Sequence, residues 1–329
     1  VTEVRDITAQ RVLPWRSLPF PIPWAEVFAV ERLDLTLEVG FGDGRYTVRR
    51  ALAEPERQFV ALEIAGASVK RALSKLQRYG VRNVRLLQVS ANFAVRNLMA
   101  PASLSEIIVN FPDPWPKARH EENRLLQRGF FVMAASRLKP GGTVQLATDH
   151  PDYLAFAKAE AQASGQFALT VAKPPAAVFE TKYALKWKTQ GKPLFYQVFT
   201  QQGSPPEIPH LERPHSMPYA LLTGALPETL EFHKQVIPYA DGHVVLHELL
   251  QSLGGEDGAG ALAVRATVDE PDLRQQLLVV IKRREGGEWI VRLASFGSPI
   301  ITPAARGAVH GVTEWLRTYG QLQLHTRDY

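Results

Sequence analysis

The segment NFPDPWPK, residues 110–117, sets an acid between two prolines and follows it with an indole and a cation. Proline fixes its own φ and restricts the residue before it, so Asp113, between Pro112 and Pro114, has little backbone freedom. A carboxylate held in place can accept from the donor edge of a base or stand against a developing positive charge. Lys117, Arg119 and His120 follow, the first two as candidates for phosphate, and Trp115 offers a face to stack or to pack. No helix and no central strand survives three prolines in five residues. The run EIIVN just before it nevertheless reads as a buried strand. The acid therefore belongs to a loop at a strand's carboxyl end.

Other strand ends carry chemistry too. LEVGFGDGR places Gly40, Gly42 and Gly44 at GxGxG spacing directly after an apolar run, with Glu38 just ahead of them. Glycines there permit a tight turn and close approach of backbone to a ligand. The dinucleotide fingerprint is GxGxxG, so the third glycine falls one position early. Glu63 closes the next apolar run, FVALEI, and an acid at that place accepts from both ribose hydroxyls of a nucleoside cofactor. NAD and S-adenosylmethionine both satisfy these two features. QVSANF adds Ser90 and Asn92, which suit an adenine edge or a plain loop equally. QLATD ends on Asp149.

The elements that hold these residues alternate. LTLEVG (35–40), QFVALEI (58–64), NVRLLQV (83–89), LSEIIVNF (104–111) and TVQLATD (143–149) read as strands. DGRYTVRRALAEP, AGASVKRALSKLQRYG, ENRLLQRGFFVMAASRL and PDYLAFAKAEAQAS read as helices, the third stopped by KPGG. The order predicts an α/β fold with a doubly wound, mostly parallel sheet. In such sheets ligands bind beyond the carboxyl ends of the strands, where every candidate above lies. QQGSPPEIPHLERPHSMP carries five prolines, and a linker over 203–218 separates a first domain, 1–202, from a second, 219–329. HVVLHELLQS, ALAVRATV, QQLLVVIKRR and EWIVRLASF read as antiparallel strands, the last two joined at EGG, and TPAARGAVHGVTEWLRTYG as a helix. This is a small α+β domain without a catalytic motif.

Charge divides the chain at the same place. Residues 1–202 hold 27 Lys and Arg against 18 Asp and Glu, net +9; residues 203–329 hold 11 against 15, net −4. The first domain is the partner for a polyanion. The chain has no cysteine, which excludes disulfides and thiolate metal sites and fits a cytoplasmic protein. No apolar run reaches membrane-spanning length, and the first residues resemble neither a signal peptide nor a transit sequence.

In these motifs the chain resembles the bacterial tRNA (guanine-N7)-methyltransferases. LEVGFGDG, ALEI, NFPDPWPKARH, LKPGG, LATD and TKY match that family's motifs in order over residues 30–200, and FPDPWPKARH is the most specific of them. The resemblance implies a Rossmann-like fold, S-adenosylmethionine as methyl donor without a metal, and tRNA as substrate, methylated at guanosine 46 of the variable loop. It implies that Glu38, Glu63 and Asp113 line the cofactor site, with Asp113 also catalytic. Lys117, Asp149 and the segment Thr181, Lys182, Tyr183 and Ala184 are implied to contact the substrate.

Three stretches depart from the family pattern. Ser90 stands where an acid is usual. HEENR keeps His120 and Arg124 but sets Glu121 and Glu122 where the family is basic, which removes positive charge near the expected RNA path. Ala184 replaces a Glu and Tyr183 a Phe. Rival readings are a methyltransferase with another substrate, an NAD-dependent dehydrogenase, and a tRNA-binding homologue impaired in catalysis. For residues 219–329 the expectation is structural support or a homodimer interface rather than RNA contact.

Overall fold

The computed structural model describes residues 9–181, 184, 185, 193–212, 216–253 and 260–329. It forms two compact units, Val1–His210 and Leu211–Tyr329. In the first, the apolar runs become strands β1 (Leu35–Val39), β2 (Gln58–Glu63), β3 (Val84–Gln88), β4 (Leu104–Asn110) and β5 (Leu138–Thr148), followed by β6 (Phe167–Thr170) and β7 (Phe195–Gln201). The sheet order is β3-β2-β1-β4-β5-β7-β6. The first five strands pair in parallel, and β7 runs antiparallel between β5 and β6. Every residue of β1 is buried, as a strand covered on both faces requires.

Helices α1 (Trp24–Phe28), α2 (Arg45–Ala53), α3 (Gly66–Arg78), α4 (Ala91–Asn97), α5 (Arg128–Arg137) and α6 (Pro151–Ser164) complete the unit. In α3 the buried Val69, Ala72 and Leu76 fall on one face at helical spacing and close a core with Val48, Phe59 and Leu86. The chain leaves β1 toward β2 and β3, then returns to β4 on the other side of β1. That reversal opens a crevice at the carboxyl ends of β1 and β4.

Three local expectations need correction. QVSANF is not a loop, because the Ser90 hydroxyl accepts from Phe93 N and starts α4. The helix expected from Glu122 is not continuous; Ala118–Asn123 form a 3-10 turn and α5 begins only at Arg128. KPGG does not lie outside the sheet. It is absorbed into β5 as an irregularity, since Leu104 pairs with Leu138 but Glu106 with Thr143. The stretch expected as a linker from 203 is also tied down at its start. Arg137, 1% exposed, donates to Ile208 O at 2.8 Å, and the His210 ring bonds Met99 O at 2.9 Å. The division between units accordingly falls after His210.

The second unit is one antiparallel sheet, with β8 (Tyr219–Thr223), β9 (Gln235–Tyr239), β10 (Gly242–Gln251), β11 (Leu262–Glu270), β12 (Leu273–Arg283), β13 (Trp289–Leu293) and β14 (Gln323–Asp328) in the order β14-β8-β13-β12-β11-β10-β9. Helix α7 (Pro303–Thr318) is started by the Thr302 hydroxyl, and its Ala304, Ala308, Val312 and Trp315 share a core with Val244, Val264, Val279 and Val291. No helix among the described residues is long and apolar enough to cross a membrane.

Between β1 and α2, Gly44 sits at φ +76°, and a Cβ there would lie 2.7 Å from Ala72 Cβ and 3.0 Å from Ala72 Cα. Gly44→Ala should destabilise the first unit by roughly 2–4 kcal/mol, the sum of a left-handed backbone and an overlap that parts α2 from α3. Urea unfolding reads the loss. Adding Ala72→Gly should relieve the overlap and restore only part of it; no loss in the single variant would contradict the packing described.

Candidate active site

The turn after β1 is left-handed at all three glycines, with φ +73° at Gly40, +57° at Gly42 and +76° at Gly44. Nothing lies within 4 Å of where a Cβ would stand on Gly40 or Gly42, so the turn presents bare backbone to open space. Its N–H groups fasten it to β2: Gly40 N donates to Leu62 O at 2.8 Å, and Gly42 N to Glu63 Oε2 at 3.0 Å. The other oxygen of Glu63 accepts from Ile64 N at 2.9 Å and Ala65 N at 3.1 Å. Three backbone donors thus hold this carboxylate at the strand tip, with lone pairs remaining for a ligand's hydroxyls. Ile64 beside it is 72% exposed, an apolar surface at the same edge.

Glu38 is differently placed. It is 2% exposed, and its Oε2 accepts from the Thr47 hydroxyl of α2 at 2.6 Å, so the carboxyl lies behind the glycine turn. Burial pushes it up to about 7; Glu63 adds to that, while the Thr47 hydroxyl and Arg50 oppose it.

At the tops of β3 and β4 two amides are incompletely satisfied. Asn92 Oδ1, in the first turn of α4, and Asn110 Nδ2, at the last residue of β4, are buried without a hydrogen-bond partner. Buried polar atoms are rarely left so. Ser90 lies next to Asn92, but its hydroxyl caps α4.

The loop after β4 carries backbone strain on both sides of Asp113. Phe111 has φ +53° and Trp115 φ +42°, a region β-carbon-bearing residues rarely adopt. Contacts on both sides hold it. Phe111 N donates to Ala147 O at 2.7 Å, which ties the loop's start to β5. Arg124 grips the far side: its Nε donates to Pro114 O at 3.1 Å and a terminal nitrogen to Trp115 O at 3.3 Å. Its other terminal nitrogen pairs with Glu121 at 2.6 Å, and the guanidinium lies 4.6 Å from the Phe156 ring centre. Arg124 is buried; Asp113 is exposed, and among the described residues it meets no hydrogen-bond or ion-pair partner. Glu121 therefore does more than subtract charge: it neutralises the cation that braces the loop.

Lys117 and Arg119 are exposed beyond the loop, with Arg119 Nε 3.3 Å from His120 Nε2 and the His120 ring 5.9 Å from that of Trp115. Asp149 is half-buried just past β5. Thr181 is 7% exposed, and its hydroxyl donates to Val178 O and accepts from Ala184 N. It shapes its own turn and offers a ligand little surface. Lys182 and Tyr183 lie outside the described residues. Among those described, no group of three or more His, Asp or Glu side chains could hold a metal ion.

The strand ends thus bring together Gly40, Gly42, Glu63, Asn92, Asp113 and Asp149. Arg124's grip on two carbonyls, the apolar Ile64 and the unsatisfied Asn110 were not legible as site features, since each depends on what the fold sets beside it.

Known proteins are similar to this chain over most of its length. A family model described as "Putative methyltransferase" matches residues 33–197. A tRNA (guanine-N(7)-)-methyltransferase of Thermus thermophilus is 40% identical over 310 residues, 94% of this chain and 97% of that protein. Proteins of the same name from Deinococcus radiodurans and Thermotoga maritima are 42% and 29% identical, over 88% and 95% of this chain and 91% and 99% of their own lengths. Matches of that span run through the second unit as well as the first.

The Glu38 carboxyl sets a pH dependence. A pKa raised on folding favours the folded state fully only below the unfolded value of about 4.5, and the contribution is lost as pH rises through about 7. Glu38→Gln keeps an acceptor for Thr47 and removes the titration. Relative to this variant, the parent chain should lose about 2 kcal/mol of stability between about pH 5.5 and about pH 8.5 in urea unfolding. Parallel pH profiles would contradict the assignment.

Proposed function

The chain belongs to the tRNA (guanine-N7)-methyltransferase family, and from its site we infer that it methylates guanosine 46 in the variable loop of tRNA with Asp113 as the catalytic carboxylate. S-adenosylmethionine, when bound, supplies a sulfonium methyl that is already electrophilic. The residues present suit it. Bare backbone at Gly40 and Gly42 leaves room for close approach, Glu63 is held to receive ribose hydroxyls, and the unsatisfied Asn92 oxygen can accept from the adenine amino group. Glu38 supports the turn from behind.

Guanine N7 carries an in-plane lone pair, so no side chain has to remove a proton before attack. The protein's task is orientation, exclusion of water and stabilisation of charge. Methylation leaves a positive charge on the purine. Asp113 stands where β4 ends, its carboxylate uncommitted to other side chains among those described, and can meet that charge or hold the N1–H and N2–H₂ donors of the base. Asp149, at the end of the neighbouring strand, is the second carboxylate able to do so. Lys117 and Arg119 bind backbone phosphates. With N7 on the outer edge of the base, the target is presented from the folded tRNA, partly unstacked.

The observation that carries this reading is an uncommitted carboxylate on a braced loop at the crevice between β1 and β4. Single-turnover methylation of unmodified tRNA should fall at least ~100-fold in Asp113→Ala. Turnover near that of the parent would remove Asp113 from the chemistry.

A further inference from the structure

We propose that Asn110 reads O6 of the target guanine and so selects guanine over adenine at the edge that is methylated. The inference rests on the methyl-transfer reading above and adds to it a specificity residue.

Asn110 is the last residue of β4. Pairing of Val109 with Val39 sets Asn110 level with Gly40, where the turn opens onto free space, and on its other side it pairs with Ala147 of β5. Its Nδ2 is buried and unsatisfied. A buried donor without a partner destabilises a fold and is uncommon, so one at a ligand edge points to an acceptor on the ligand.

Alternation along the strand identifies the side of the sheet. Asn110 shares a face with Ile108, and Ile108 clusters with Tyr46, Ala147 and Val178. Val178 O in turn accepts the Thr181 hydroxyl, which opens the segment that the family resemblance implies to contact the substrate. The candidate contacts for ribose and adenine, Glu63 and Asn92, follow β2 and β3 on the far side of β1. The Asn110 amide therefore stands toward the base to be modified, three residues from Asp113.

The chemistry of the base completes the assignment. Along its outer edge guanine offers two adjacent acceptors, N7 and O6; adenine offers N7 beside an amino donor. An amide N–H aimed at the O6 position pairs with guanine and meets a second donor in adenine. It leaves N7 free for the methyl group. A site built to hydrogen-bond one group rejects an analogue that cannot reciprocate far more strongly than an apolar site would.

The test crosses a side-chain deletion with an atom change in the substrate, using the full chain and tRNA transcripts that carry guanosine or 6-thioguanosine at the methylated position. The sulfur is a poorer acceptor than O6. Asn110→Ala should lower kcat/KM on guanosine tRNA roughly 30-fold, and by no more than about threefold on the thio substrate, where the bond is already weakened. The isosteric Asn110→Asp, which keeps the shape and loses the donor, should be at least as impaired on guanosine tRNA. S-adenosylmethionine affinity by calorimetry should stay within about twofold in both variants, which also reports an intact fold. Where thio-tRNA turns over too slowly, the same cycle is read from tRNA affinity in the presence of S-adenosylhomocysteine. Equal losses on the two tRNAs, or a tenfold weaker methyl-donor affinity, would overturn the proposal, the latter by assigning the amide to the donor's carboxylate. Labelling of guanosine tRNA by the parent chain is the control that separates this inference from the reading of the site as a whole.

Discussion

The buried guanidinium of Arg124 holds the loop after β4 in a shape its own sequence does not favour. Two residues of that loop, Phe111 and Trp115, sit at positive φ, and such conformations persist only where the surroundings over-determine them. Arg124 supplies that constraint by binding the carbonyls of Pro114 and Trp115, with Glu121 balancing its charge and Phe156 beneath its plane. Charge-assisted bonds to backbone fix geometry more firmly than proline alone, because they act on ψ and on the peptide planes as well as on φ. The result is a carboxylate positioned without being consumed. Asp113 makes no bond to the described protein groups around it and so remains available to a ligand.

The same division of labour recurs across the crevice. Behind the glycine turn, Glu38 and Thr47 fix the turn to α2, while in front of it Glu63 is fixed by three backbone N–H groups. Groups proposed to act on a ligand are each held by others that are not. This suits a reaction whose nucleophile needs no deprotonation and whose methyl is already activated, because positioning then supplies most of the rate.

Much of this was legible beforehand. Alternating apolar runs predicted five parallel strands, and the strand-end rule placed Glu63, Asp113 and Asp149 together at one edge. What escaped was context. Ser90 looks like a ligand contact until the chain is seen to enter α4 there, where a serine is a cap. KPGG looks like a terminator until the parallel pairing of β5 with β4 pulls it into the sheet. Thr181, implied as a substrate contact, has its hydroxyl engaged with Val178 O and Ala184 N within its own turn. Glu121 looks like lost positive charge until it is found 2.6 Å from Arg124. In each case the residue's type was informative, and the partner the fold supplies was not legible from it.

We propose that Arg124 acts on the reaction through Asp113. A double-mutant cycle of Arg124→Ala and Asp113→Ala in single-turnover tRNA methylation separates this route from any other. Loss of the brace alone should slow the reaction roughly 10- to 100-fold, the effect of displacing a catalytic group by about an ångström. The double variant should then be no slower than Asp113→Ala. Additive losses in the double variant would contradict the account, since they would show Arg124 contributing by a route that bypasses the carboxylate it positions.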